Sequence, residues 1–207
     1  MIAQASYRAV SSARQSAVII LAAGASRRLG RPKQLVRYGP GSLLERTVAL
    51  AHALRPRWVG VVVGSGASRI EAVLAPLLVP VIRARHWRDG MAASLVAGVR
   101  RAPRDARFLV VLTVDQWRVT SGDLARLLRA AGRAPVAASY AGRRGVPAVF
   151  PREYRARLLA LRGDRGARDL LTRETVACVS MEHAASDLDT AEDLAILRRK
   201  SGVRSRR

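Results

Sequence analysis

Aromatic residues make up only 4% of this 207-residue chain, and 15 acidic side chains face 37 lysines and arginines. So few rings leave little from which to build a base-stacking platform, which weighs against nucleic acid as a specific partner despite a formal net charge of +22. Lysine itself is scarce: Lys33 and Lys200 are the only two. The arginines are scattered among abundant alanine, valine and leucine, as a coding-composition bias would scatter them. They concentrate only in the tail from Arg198 to Arg207, with 201–207 read as a solvated basic extension. Cys178 is the single cysteine, so no internal disulfide can form and no cysteine metal spacing exists, which suits a reducing cytoplasm. The apolar run Val176–Val179 makes it a small core residue. No hydrophobic stretch approaches the roughly 20 residues that span a bilayer. Residues 1–16 have no apolar centre of the signal-peptide kind and are read as a flexible extension.

What is present is a pattern of short apolar runs alternating with helical periodicity. Ala17–Leu21, Trp58–Val63, Val79–Ile82, Phe108–Val114, Pro135–Ser139, Pro147–Phe150 and Thr175–Met181 read as strands. Helices are predicted after Ser42, over about 68–77, 90–101, 121–131, 152–161 and 165–172, and from Ala191 to Lys200, with Ser42 and Ser121 as N-caps. The order implies one three-layer α/β/α domain over 17–200 with a mainly parallel, Rossmann-like sheet. Longer connections fall at 23–41, 115–121 and 139–147. Ligands of such sheets sit beyond the strands' carboxyl ends, where the first two of these loops begin.

Leu21-Ala22-Ala23-Gly24-Ala25-Ser26-Arg27-Arg28-Leu29-Gly30-Arg31-Pro32-Lys33 is the informative loop. Small residues at 22–25 let a ligand approach the backbone, whose N–H groups can cradle anionic oxygen. Arg27 offers a bidentate phosphate contact and Lys33 a mobile point charge. The Gly-Lys-Ser/Thr of a Walker loop is missing, and Gly24 and Gly30 are too far apart for the dinucleotide pattern. Asp115, delivered by the strongest strand, is placed to hold a hard cation such as Mg²⁺ through oxygen. Asp189 is the second candidate ligand, in Asp187-Leu188-Asp189-Thr190, where Thr190 and Asp193 also form a capping box. His52, His86 and His183 match no catalytic spacing.

The loop Leu-Ala-Ala-Gly-x-Ser-x-Arg-x-Gly-x-Pro-Lys at 21–33 resembles the nucleotide-binding signature of MobA-like nucleotidyltransferases, and specifically of molybdenum cofactor cytidylyltransferases. The resemblance runs from about Val18 to Leu197. It implies a nucleotide-diphospho-sugar transferase type of fold, with residues 21–26, Gly64, Gly90 and Ser94 at the nucleotide and Arg27 and Lys33 on its phosphates. It implies Mg²⁺ on Asp115 and Asp189, and Arg27, Lys33 and Asp115 as the catalytic set. Trp87–Leu95 is similar to a family segment that lines the nucleotide pocket, and Asp115–Trp117, Gly145–Phe150 and Gly163–Arg168 are similar to further segments, placing Gln116, Gly145, Pro147, Gly163, Asp164, Gly166 and Arg168 at the acceptor. The chain departs from the family's pattern at Trp117 and Ala191, where proline is usual, and at Val146, where histidine is usual. The implied reaction joins CMP from CTP to molybdopterin-bound molybdenum and releases pyrophosphate. Ala23 and Pro32 follow the cytidylyl form of the signature. A guanylyltransferase, another NTP:phosphate transferase, and a non-catalytic carrier serving a molybdenum hydroxylase apoenzyme are the alternatives.

Overall fold

Continuous apolar runs are stable as strands only where both sheet faces are covered. In the computed structural model, which describes residues 11–172 and 175–201, two such runs form β1 (Ser16–Ala22) and β6 (Phe108–Thr113), parallel neighbours inside a seven-stranded sheet. The order is β5–β4–β1–β6–β8–β7–β9, with β4 at Trp58–Val63, β5 at Val81–Arg83, β7 at Val136–Tyr140, β8 at Arg143–Pro151 and β9 at Ala177–Ser180. Only β8 runs against its neighbours, so the mainly parallel α/β sheet is observed. A small ribbon of β2 (Arg37–Tyr38) and β3 (Gly41–Ser42) lies apart from it.

Alternation along β1 divides the core. Val18, Ile20 and Ala22 enter one layer; Ala17, Ile19 and Leu21 enter the other. The first layer is closed by helices Leu43–Ala53, Ala67–Leu74, Ser121–Ala130 and Ala191–Ser201, the second by Met91–Arg101, Arg155–Leu159 and Arg168–Leu171. Gly98 lets Met91–Arg101 lie directly on the sheet, because a Cβ there would stand 2.5 Å from Ile19 Cγ2 and 2.9 Å from Val62 Cγ2. Ser42 caps its helix through a reciprocal box with Glu45. Among the described residues no helix is long and apolar enough to cross a membrane.

Several local expectations are corrected. Thr120, not Ser121, caps the helix 121–130, because its hydroxyl and Asp123 form the reciprocal box. The strand expected at 79–82 begins only at Val81; Pro80, which has no N–H to donate, gives its carbonyl to Val61 N. The loop expected at 139–147 is a tight hairpin turning at Ala141 and Gly142, both with positive φ. Cys178 is exposed rather than buried, since β9 is an edge strand. In the extension expected over 1–16, residues 11–14 are helical and Ala13 is buried, and Ser16 already belongs to β1. Residues 1–10 and 202–207 lie outside the described residues.

Candidate active site

The chain leaves β1 at Ala22 and must double back so that Lys33 returns to the carboxyl end of the central strands. Ser26 sits in the left-handed region (φ 52°) and Gly30 does likewise (φ 69°), on either side of the short turn Arg27–Leu29. Ser26 Oγ then accepts from Lys33 N at 3.1 Å. Gln34, 1% exposed, donates its amide to Ala22 O at 2.8 Å and Gly24 O at 2.9 Å. In planar trans peptides the N–H points opposite to the C=O, so these contacts turn the N–H groups of Ala23 and Ala25 away from Gln34. Gln34 Oε1 is buried without a partner. Nothing in the sequence singles this residue out, although it follows the signature directly.

Two carboxylates converge here from distant parts of the chain. Asp115 follows the end of β6. Asp189 lies ahead of the last helix, where Thr190 and Asp193 make the anticipated box. Leu188 N donates to Asp115 O at 3.1 Å, and Gln116 and Asp187 form an antiparallel bridge, so the backbone itself fixes the two segments together. Lys33 Nζ lies between the carboxylates, 2.6 Å from Asp115 Oδ2 and 3.0 Å from Asp189 Oδ1. Burial pulls the Lys33 ammonium down, but Asp115 and Asp189 outweigh it and hold it above its ordinary range. Arg28 NH2 reaches Asp189 Oδ2 at 2.6 Å. Arg28, not Arg27, holds the signature's fixed arginine position, and it is the one that meets the carboxylates; spacing alone was enough to find it.

A cavity of about 420 Å³ opens over this loop. Residues 21–27, Lys33, Gly90, Ser94, Asp115 and Asp189 all line it. Trp87 adds an indole wall. Gly64 stands behind that wall instead of in the cavity: a Cβ on it would meet Trp87 Cγ at 2.6 Å and Ala23 O at 2.9 Å. Gly90 (φ 106°) is needed because a Cβ would lie 2.6 Å from the Gly163 carbonyl.

A second cavity of about 380 Å³ shares Asp115, Thr113, Met91 and Asp164 with the first. Arg143, Arg144, Arg165 and Arg168 also line it, with Gly145 and Asp187. Gly163 and Gly166 shape its wall from behind: Gly163 O accepts from Ala92 N, and a Cβ on Gly166 would lie 2.9 Å from Met91 Sδ. Two expected acceptor contacts are corrected. Gln116 borders the cavity, but its Nε2 is committed to Val146 O (2.8 Å), Ala184 O (3.1 Å) and Tyr140 Oη (3.3 Å), and its Oε1 to Thr113 Oγ1, so it braces the wall. Pro147 is buried and faces the opposite side of β8 from Val146, as successive strand residues must.

Asp187 also faces the second cavity. Burial first, then the Asp115 and Asp189 charges, push its carboxyl up to about 7, and its Oδ1 is buried without a hydrogen bond. Of the three departures from the family pattern, Trp117 is absorbed by the core: 5% exposed, it packs on Tyr38 with ring centroids 5.9 Å apart. Val146 supplies a carbonyl to Gln116 and Tyr140. Ala191 opens the last helix, on its exposed side. His183 lies outside both cavities, its Nε2 2.7 Å from Asp123 Oδ2.

The mainly parallel sheet with helices on both faces defines an α/β domain whose fold matches that of a solved nucleotidyl transferase. The chain belongs to the MobA-like NTP transferase domain family, whose model matches residues 18–179. It is similar to nicotine blue oxidoreductase of Paenarthrobacter nicotinovorans, 32% identical over 194 residues that cover 85% of this chain and 93% of that one. Among solved structures it is similar to Rv0371c from Mycobacterium tuberculosis H37Rv, with a TM-score of 0.78, 30% identity, and 89% and 97% of the two chains covered. A structure of Rv0371c in complex with manganese matches with a TM-score of 0.74 at 27% identity, covering 89% of this chain and 98% of that one.

Proposed function

We propose that this protein transfers CMP from CTP to the terminal phosphate of a molybdenum–molybdopterin acceptor, with Mg²⁺ as the cation, and releases pyrophosphate. The observation that carries the reading is the position of Asp115, which borders the nucleotide-side cavity and the arginine-lined cavity at once. The donor set fits Mg²⁺: carboxylate oxygens, which are hard ligands, already converge on a single positive atom. Manganese bound to the relative named above supports the same assignment. Held by Asp115 and Asp189, Mg²⁺ would supply positive charge to the phosphates that react.

The chain's own residues position and neutralise. The loop 22–26 grips the nucleotide with backbone, while Arg27, Arg28 and Lys33 share the charge of the triphosphate and of the departing pyrophosphate. Arg143, Arg144, Arg165 and Arg168 would draw in an anionic acceptor. Its phosphate oxygen attacks the α-phosphorus; that P–O bond forms as the α–β bridge bond breaks, and pyrophosphate leaves with the electron pair. A phosphate nucleophile is already ionised near neutral pH, so no catalytic histidine is required, and His183 stays in its structural pair.

Purified protein, Mg²⁺ and molybdenum cofactor, given each of the four triphosphates in turn, test the proposal by pyrophosphate release. CTP should be preferred, in keeping with Ala23 and Pro32. Preference for GTP would move the assignment to guanylyl transfer. Binding of molybdenum cofactor without pyrophosphate release from any triphosphate would leave a carrier for a hydroxylase apoenzyme. Oxidation or reduction of added nicotine blue, with no pyrophosphate release from any triphosphate, would favour the chemistry in the relative's name instead.

A further inference from the structure

The two carboxylates that would hold a divalent cation already have cations on them. Lys33 Nζ stands within 3.0 Å of both, and Arg28 NH2 holds the other oxygen of Asp189 at 2.6 Å. The formal charges of the four side chains cancel. A divalent ion arriving alone must displace an ammonium group that is largely buried, its side chain 17% exposed, and bonded to both of its ligands. The reward is small, because two carboxylates fill only part of an octahedral shell. A triphosphate changes both terms. It offers oxygens to the ion, and it offers Lys33 and Arg28 other negative charge in the same cavity that they line.

We propose that Lys33 and Arg28 act as internal stand-ins for the metal, keeping the Asp115–Asp189 pair closed until nucleotide phosphates draw them away, so that cation binding is conditional on nucleotide. This rests on the nucleotidyltransferase reading above and adds an order of events to it. Arg28 thereby gains a role as a positioning residue: it acts on the ion through Asp189. The same arrangement protects the loop, since two neighbouring carboxylates left bare would repel one another and the incoming triphosphate.

The test is Mn²⁺ binding followed by electron paramagnetic resonance, with no turnover required. Wild-type protein alone should bind Mn²⁺ weakly, and α,β-methylene-CTP should tighten it strongly. Lys33→Met should bind Mn²⁺ roughly tenfold or more tightly than wild type without nucleotide, because one unit charge within about 3 Å of both ligands is gone. The analogue should add much less to this variant. Arg28→Gln, at an exposed position, should shift Mn²⁺ affinity the same way by less, and serves if the Met variant does not fold. Asp115→Asn should abolish the uptake throughout. Equal Mn²⁺ affinity of wild type and Lys33→Met without nucleotide would overturn the proposal. So would a wild-type protein that binds the analogue with no gain in Mn²⁺ affinity. Failure of wild type to bind any nucleotide would remove the enzymatic reading instead, while tight Mn²⁺ binding by Lys33→Met would still support the lysine's hold on the pair.

Discussion

Gln34→Met is the most informative single change, because it removes a donor pair and leaves the shape nearly intact. In the native loop the Gln34 amide satisfies Ala22 O and Gly24 O, at 2.8 and 2.9 Å, inside a site where the side chain is 1% exposed. Methionine would leave both carbonyls without that donor, at about 1–3 kcal/mol for each carbonyl that stays buried. It would also delete the unpartnered Oε1, which offsets part of the loss. A net cost of about 2–3 kcal/mol follows. If half or more appears as disorder of the loop rather than global unfolding, nucleotide affinity should fall by about ten- to a hundredfold, since each 1.4 kcal/mol is tenfold. Calorimetric titration with a CTP analogue, beside a melting curve, separates the two: melting should drop only a few degrees, at about 2–4 °C per kcal/mol for a chain of this size. Gln34→Glu should do worse than methionine, because an ionised carboxylate presents only acceptors to two carbonyls. The reasoning fails if Gln34→Met binds the analogue as wild type does.

Other outcomes follow from the same geometry. Asp115→Ala should lower pyrophosphate release by at least about a hundredfold while circular dichroism and melting stay close to wild type; an active variant would refute the cation assignment. Asp123 has its carboxyl held down to about 2, because hydrogen bonds from Thr120, His183 and Arg126 outweigh a burial effect that pushes it up. A depressed carboxylate contributes stability above its unfolded value near 3.8, so Asp123→Asn should cost about 2 kcal/mol near neutrality, a gap that closes as pH falls from about 4 towards about 2. Urea unfolding at several pH values measures it, and a gap that ignores pH would count against the pairing. Gly98→Val would drive a side chain into Ile19 and Val62 and should destabilise by about 1–3 kcal/mol, read from the denaturation midpoint.

The central strands were legible because a continuous run such as Phe108–Val114 is too short for a buried helix and too apolar for an exposed segment, and β1, β4 and β6 lie where hydrophobicity places them. The first cavity was legible in part: ten of its lining residues come from one segment, 21–33, whose small residues and cations are adjacent in sequence, while the others are brought to it by the fold. What escaped depended on contacts across the fold. Gln34 reads as an ordinary polar residue until two loop carbonyls are seen to converge on it. Gln116 reads as a ligand-facing amide until Val146, Tyr140 and Ala184 are seen to surround it. The hairpin at 141–142 was hidden because Arg143, Arg144 and Gly145 carry no apolar alternation, and β9 misled because an edge strand leaves Cys178 on its open side. Asp187 could not be weighed at all without knowing how close Asp115 and Asp189 come.

Asp189 falls ten residues past the end of the matched family region at 179, and it meets Asp115 only because the bridge from Gln116 to Asp187 and the Leu188 amide lay the late segment against the strand end. The loop 21–33 and Asp115 therefore leave the ribosome before the second carboxylate does. Until the last helix docks, Lys33 has one acidic companion instead of two, and the centre is half assembled. Closure of this centre is thus a late acquisition of the growing polypeptide, complete only when its last segment settles against the strand end.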